Sequence, residues 1–356
     1  EPRPAIWTSL VHNGVCFPQE YVPHNVNMKY NGDEIELTPE AEEVATLYAE
    51  LLNDNYVMND TFNENFFKDW QTVLKKSEEN PQVEDFEKCD FTSICNYLQK
   101  KEKQTKNFSK EEKQRLKDEK TRVDDLYGYC YLDGRKEKVD NFKIKPPGLF
   151  KGRGVHPKTG SLKYRVTPEQ IKINLSEDAS IPSPPAGHSW GGILHDNTVT
   201  WLATWKENNK IKYMSLAANS SIKGQIDLEK FDKARKLDKH LEKIRHDYTK
   251  DLEDKLESVR QRGTAMYLID TLSLRAGNEK TVEEADTVGC CSLRCEHITL
   301  VEPRTVKFDF LGKDSIRYKN SVEVTEQVFE NFKIFMKDKE TSEELFDSLK
   351  VQKYKI

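Results

Sequence analysis

Between Leu228 and Val259 the chain repeats apolar residues at helical spacing, among them Phe231, Ala234, Leu237, Leu241, Ile244 and Tyr248, on an intensely charged background. A period near 3.6 residues sustained over 226–262 admits helix and excludes strand. The seam is short and irregular for a coiled coil, so a long helix or a helix pair packed on its own chain is expected. Other stretches follow a different period. Val199, Trp201, Ala203 and Trp205 alternate with polar residues, and a KENN turn leads into a second strand around 211–214, which predicts paired strands with the tryptophans in the core. Two Asn-Gly steps predict hairpins, one from Trp7 to Phe17 around Asn13-Gly14 and one from Met28 to Leu37 around Asn31-Gly32. Helices are expected after Thr38-Pro39 and over Phe62 to Leu74. Capping boxes at Ser109/Glu112 and Thr167/Gln170 signal two further starts. Strands and helices in separate runs give an α+β class.

A chain of 356 residues exceeds what one core usually fills, so two or three compact units are expected. A third of the residues are charged, which excludes a membrane span of the usual apolar length. The seven cysteines are odd in number and form no CxxC pair. Neither a disulfide framework nor a zinc site follows, and a reducing compartment is expected. Net charge is −5, yet it is spread unevenly: residues 143–166, KIKPPGLFKGRGVHPKTGSLKYRV, carry seven Lys and Arg and no acid. Glycines that let backbone approach a ligand and prolines that stiffen the loop suit a segment that tracks phosphates. The GRG within it lacks the third glycine and the strand–helix context of a dinucleotide fingerprint.

Two cations further along have both a bland and a sharp reading. Lys313 falls in the turn of an expected hairpin, Val306 to Phe310 and Ile316 to Tyr318. There it either keeps its ammonium in water and guards an edge, or is carried into a nucleic-acid groove where its proton reaches a leaving oxygen. Arg275 is expected at the C-terminal end of a helix, with Gly277 as the left-handed cap. It either complements the dipole and pairs with Glu279 or Asp286, or presents a guanidinium to the oxygens of a reacting phosphodiester.

The stretches PPGLFKGRGVHPKTGSLK (146–163), RHDYTK (245–250), LRAGNEK (274–280), ADTVGCCSLR (285–294) and FDFLGKDSIRY (308–318) resemble, in order, motifs of the eukaryotic type IB DNA topoisomerases. HNGVCFP, AEEVATLYA and NFFKDW resemble the family's cap, so the likeness runs over nearly the whole chain. The resemblance implies a two-lobed clamp on double-stranded DNA. Its cap would have one subdomain from 1–20 and 109–220 and a second from 21–108, and residues 221–356 would begin a mainly helical catalytic core with a small antiparallel sheet. The activity implied is relaxation of supercoiled duplex through a transient 3′-phosphotyrosine, without metal, ATP or other cofactor, on chromosomes in the nucleus during replication and transcription. By motif, Arg275 matches the first catalytic arginine and Lys313 the proposed general acid. Arg153 and Asp314 match residues lining the cleavage site, and Lys151, Lys163, Asn278, Lys280 and Thr287 match DNA-contacting positions. Lys151 stands where arginine is common in the family, which keeps the charge and loses the fork.

The family's second arginine, histidine and nucleophilic tyrosine have no matching motif here. Tyr354 carries no signature around it, and His156, His188, His246 and His297 fit loops, a charged helix and a strand end. The expectation is a chain that binds duplex DNA and takes its tyrosine from a C-terminal segment or a second polypeptide. A fragment of an enzyme, a subunit and a non-cleaving clamp remain the three readings.

Overall fold

The computed structural model describes residues 4–208 and 210–349; Tyr354 lies outside them. In chain order the elements begin with β1 (Leu10–His12), β2 (Met28–Tyr30), β3 (Asp33–Ile35), α1 (Pro39–Ala49), α2 (Asp60–Leu74), β4 (Cys89–Asp90), α3 (Thr92–Lys106) and α4 (Lys110–Tyr127). Next come β5 (Tyr129–Leu132), β6 (Arg135–Asp140), β7 (Gly148–Leu149), β8 (Leu162–Lys163), β9 (Lys172–Asn174), β10 (Gly192–Leu194), β11 (Trp201–Glu207) and β12 (Lys210–Leu216). The remainder is α5 (Ser221–Asp238), α6 (Leu241–Asp251), α7 (Glu257–Leu272), β13 (Ile298–Val301), β14 (Thr305–Leu311), β15 (Arg317–Glu323) and α8 (Glu326–Met336). The class is α+β, as the sequence predicts. Contacts divide the chain into two units, 1–151 with 160–231 and 152–159 with 232–356, and the division falls inside α5.

The first unit holds two cores. In one, α2 turns Phe62, Phe66, Trp70 and Val73 to a single buried face, the i, i+4 spacing that one helical stripe requires. Tyr48 of α1 stacks on Phe66 with 4.3 Å between centroids. The other core lies on a seven-stranded sheet ordered β1-β5-β6-β12-β11-β9-β10, antiparallel except where β10 joins β9. Leu149 and Leu162 of the basic stretch are both buried in the first of these cores.

In the second unit α7 and α8 cover the three-stranded sheet β13-β14-β15, burying Phe308, Phe329, Phe332 and Phe335. Asn331, wholly buried, donates from Nδ2 to Leu252 O at 3.0 Å and to Thr264 Oγ1 at 3.3 Å, tying the residue after α6 and the middle of α7 to α8.

Several expectations need correction. Trp7 to Phe17 is no hairpin: β1 pairs antiparallel with β5, more than a hundred residues on, and Asn13 spends its side chain on Leu126 O. Thr167 to Gln170 opens only one 3-10 turn before β9, although Gln170 does accept from the Thr167 N–H. The helix before Arg275 stops at Leu272, where Ser273 takes the left-handed conformation expected of Gly277. Trp205 is buried, but Trp201 is half-exposed on the sheet's other face, its ring tilted against that of Tyr213. The second Asn-Gly step does make the β2–β3 hairpin, and the Ser109/Glu112 box does cap α4.

Candidate functional site

Phe310 and Tyr318, directly opposed on β14 and β15, stack at 5.0 Å and stiffen the hairpin below its turn. On the exposed side Arg317 grips Asp309 with two hydrogen bonds, each 2.7 Å, and that guanidinium holds the Asp309 carboxyl below its ordinary range. The turn closes by Gly312 N–H to Ile316 O at 2.8 Å, with Asp314 and Ser315 both at positive φ. Non-glycine residues enter that region at a cost of roughly 1–3 kcal/mol each, tolerated best by short polar side chains. The strained turn leaves the Lys313 side chain exposed, with no ion pair or hydrogen bond among the described residues. Asp314 instead binds Arg153 at 3.0 Å, and Ser315 Oγ donates to Arg153 O at 3.1 Å.

Arg275 reaches the same place from another element. After Ser273 the chain forms no regular element, and the segment 286–291 runs beside it as a strut. Cys290 N–H donates to Arg275 O and Cys291 N–H to Ala276 O, both at 2.7 Å, while Val288 N–H donates to Leu311 O at 2.8 Å. One strand of backbone thus bonds both to Arg275 and to the residue two before Lys313. Gly277, at φ +88°, lies so close to Gly289 that a Cβ on it would sit 2.8 Å from the Gly289 Cα.

The strut is fixed at its start by Arg294, whose Nη1 and Nη2 donate to the two oxygens of Asp286 at 3.0 and 2.7 Å, and whose Nε donates to Glu296 at 2.6 Å. Arg294 holds the Asp286 carboxyl below its usual value. The sequence reading offered Asp286 as a partner for Arg275 and missed Arg294. Both residues lie within ADTVGCCSLR, but no local periodicity says which arginine an acid will meet. Arg275 itself is exposed and has no ion pair among the described residues.

A hollow of about 490 Å³ is lined by Arg275, Asn278, Lys280, Thr287, Lys313 and Asp314, six of the nine residues singled out from sequence, together with Gly277, Val288 and Gly289. A neighbouring cavity of about 340 Å³ again includes Arg275, Lys313 and Asp314 and has an apolar wall of Leu274, Val288, Phe310 and Ile316. Three cations face one carboxylate that is already paired. That is a site for an anion. Arg153, the seventh residue, joins through Asp314. Lys151 and Lys163 belong to the first unit, where Lys151 Nζ lies 5.0 Å from the Tyr56 ring centre and Lys163 is paired with Gly148 in a two-stranded ribbon. Among the described residues no three His, Cys, Asp or Glu side chains cluster as a metal site.

The family models for eukaryotic DNA topoisomerase I match this chain along its length, the DNA binding fragment at residues 5–216 and the catalytic core at 219–355. The chain belongs to the eukaryotic DNA topoisomerase I family. It is 55% identical over 348 residues to DNA topoisomerase 1 of Schizosaccharomyces pombe, covering 96% of this chain and 43% of that protein. Identity to the Candida albicans protein of the same name is 52% over 349 residues, 96% of this chain and 45% of that one. With the Homo sapiens topoisomerase it is 48% over 358 residues, 98% and 47%. The chain therefore spans less than half the length of these curated relatives. Every residue of the hollow falls within the stretch that matches the catalytic core.

Proposed function

We propose that this chain grips duplex DNA and supplies two cationic residues of a type IB strand-transfer site, in which a tyrosine carried outside this sequence attacks a backbone phosphate. The tyrosine hydroxyl loses its proton to water as its oxygen forms the new bond to phosphorus, the bond from phosphorus to the 5′-oxygen breaks, and Lys313 gives that oxygen its proton. Arg275 donates to the non-bridging oxygens, whose charge grows as the phosphorus becomes pentacoordinate. Religation runs the same steps backwards after the duplex has rotated. The reaction needs neither ATP nor metal, and the protein works in the nucleus.

The observation that carries this reading is that Arg275 and Lys313 come from different elements, share one hollow, and are both free of ion pairs among the described residues. A structural arginine or lysine gains by pairing; these two are kept open by a strut bonded to both sides. Tyr318 lines the adjoining cavity, but its ring is stacked on Phe310 and its hydroxyl accepts from Asn320 at 3.0 Å, which favours an external nucleophile.

The test is relaxation of negatively supercoiled plasmid in EDTA without ATP, by the chain alone and by the chain complemented with the remaining half of one of its relatives. Relaxation only on complementation, lost in Lys313→Ala and retained in Tyr318→Phe, is the expected result. Salt-sensitive duplex binding with no relaxation in either case would instead mark a non-cleaving clamp.

A further inference from the structure

The seven-stranded sheet of the first unit has one face in the core and one that the proposed reaction does not use. Opposed residues of antiparallel strands stand on the same face. Cys130 and Leu132 point into the core, so Tyr129 and Tyr131 point out, opposite Lys138 and Lys136. The register carries the outer face across β6, where Asp140 opposes Ser215, and on to β11, where Trp201 opposes Ser215 and Thr204 opposes Tyr213. By the same pairing Lys206 and Lys172 face outward.

Four aromatic rings and four lysines therefore share a face on which Asp140 is the one acid among the described strand residues. Tyr131 is 54% exposed and Tyr213 is 43% exposed. Lys136 Nζ lies 4.1 Å from the Tyr129 ring centre, and Trp201 and Tyr213 lie 5.9 Å apart. Three strand spacings separate Tyr129 from Trp201, roughly 14 Å, so the rings form a trail and not a cluster. An ordinary solvated sheet face has no need to leave such rings in water.

We propose that this face binds single-stranded DNA, with bases stacked on Tyr131, Tyr213 and Trp201 and phosphates held by Lys136, Lys138 and Lys206. A duplex hides the flat sides of its bases and would leave the rings unmatched; a single strand matches both halves of the pattern. The inference rests on the proposed function in one respect: negative supercoiling favours strand separation, and so presents such strands to a relaxing enzyme.

Binding of a fluorescent oligo(dT), roughly a dozen nucleotides long, is measured by anisotropy beside binding of a duplex, for the chain and for Tyr131→Ala with Tyr213→Ala. Two lost stacking contacts, at roughly 1–3 kcal/mol each, weaken oligo(dT) binding by about thirtyfold or more and leave duplex binding unchanged. Lys136→Ala with Lys138→Ala lowers the slope of log affinity against log salt by about 1.4. A 5-iodouracil oligonucleotide crosslinks to the peptide carrying Tyr131 or Tyr213. Unaltered oligo(dT) affinity in the tyrosine variant overturns the inference, as does tighter binding of oligo(rU) than of oligo(dT), or crosslinking confined to the hollow at Arg275. Loss of duplex binding by the unaltered chain would count against the proposed function instead, whatever the oligo(dT) result.

Discussion

Replacing Gly277 by alanine adds two costs at the point where the Arg275 segment crosses the strut. The first is backbone: at φ +88° an L-residue loses roughly 1–2 kcal/mol. The second is crowding, because the new Cβ would meet the Cα and N of Gly289 at 2.8 and 2.9 Å, and backbone on both sides cannot swing away as a flexible side chain does. Overpacking of this kind costs about 1–3 kcal/mol, giving roughly 2–5 kcal/mol in all. Gly134 isolates the first cost, since it sits at φ +75° with nothing within 4 Å of its would-be Cβ; Gly134→Ala should lose only about 1–2 kcal/mol. Relieving the Gly277 clash means moving Arg275 away from the strut by about half an ångström. As a 1 Å misplacement costs on the order of a hundredfold, about tenfold in cleavage rate per folded molecule is expected. Urea unfolding and single-turnover cleavage in the complemented reaction measure the two effects. If Gly277→Ala costs no more than Gly134→Ala, or keeps its full rate per folded molecule, the strut does not set the position of Arg275.

Asp286→Asn removes a carboxylate whose folded pKa is lowered by Arg294. Its contribution is present above the ordinary carboxylate value and fades as pH falls through the lower folded one. The stability gap between wild type and variant should therefore be seen at pH 7 and close in strong acid, and a gap independent of pH would refute the pairing. Its size at pH 7 is small, about 1 kcal/mol or less, because Asp286 is largely exposed. His24 is held neutral: Nδ1 accepts from the Val26 N–H at 3.0 Å, so Nε2 carries the proton toward Thr46 Oγ1 at 2.9 Å. Burial lowers its pKa, Lys101 adds to that effect and Glu42 opposes it. A lowered histidine stabilises above its unfolded value near 6.5 and loses that as pH falls, so stability should drop between pH 7 and 5, and an imidazole titrating above 6.5 by NMR would be contrary. Asn331→Ala leaves Leu252 O without its buried donor and should cost roughly 1–3 kcal/mol in urea unfolding; a loss below about 0.5 kcal/mol would mean that the α6–α7 corner is held by apolar packing alone.

What could be read in the sequence was what is decided locally. Pro39, the Ser109/Glu112 box and the Asn31-Gly32 turn act within a few residues, and each produced the expected element. Asn13-Gly14 carries an equally strong local signal and failed, because Leu10–His12 found a partner in β5 that no short window contains. Trp201 and Trp205 alternate alike with their neighbours, yet the irregular register between Trp201 and Ala203 turns Trp201 to the outer face. The candidate site residues were singled out through motif order, whereas the bonds that bring six of them to one hollow are tertiary. The bonds from Val288 to Leu311 and from Cys290 to Arg275 join segments that are separate in sequence, and Asp286 meets Arg294 and not Arg275.

The division of labour between the two cations is the central claim, and one substrate separates them. A duplex whose scissile 5′-oxygen is replaced by sulfur has a leaving group that departs without a proton. In the complemented reaction, Lys313→Ala should be severely slowed on the ordinary duplex and return to near wild-type cleavage on the sulfur one, while Arg275→Ala stays slow on both. If the sulfur substrate leaves Lys313→Ala as slow as before, or rescues Arg275→Ala equally, Lys313 is not the acid and the hollow only binds.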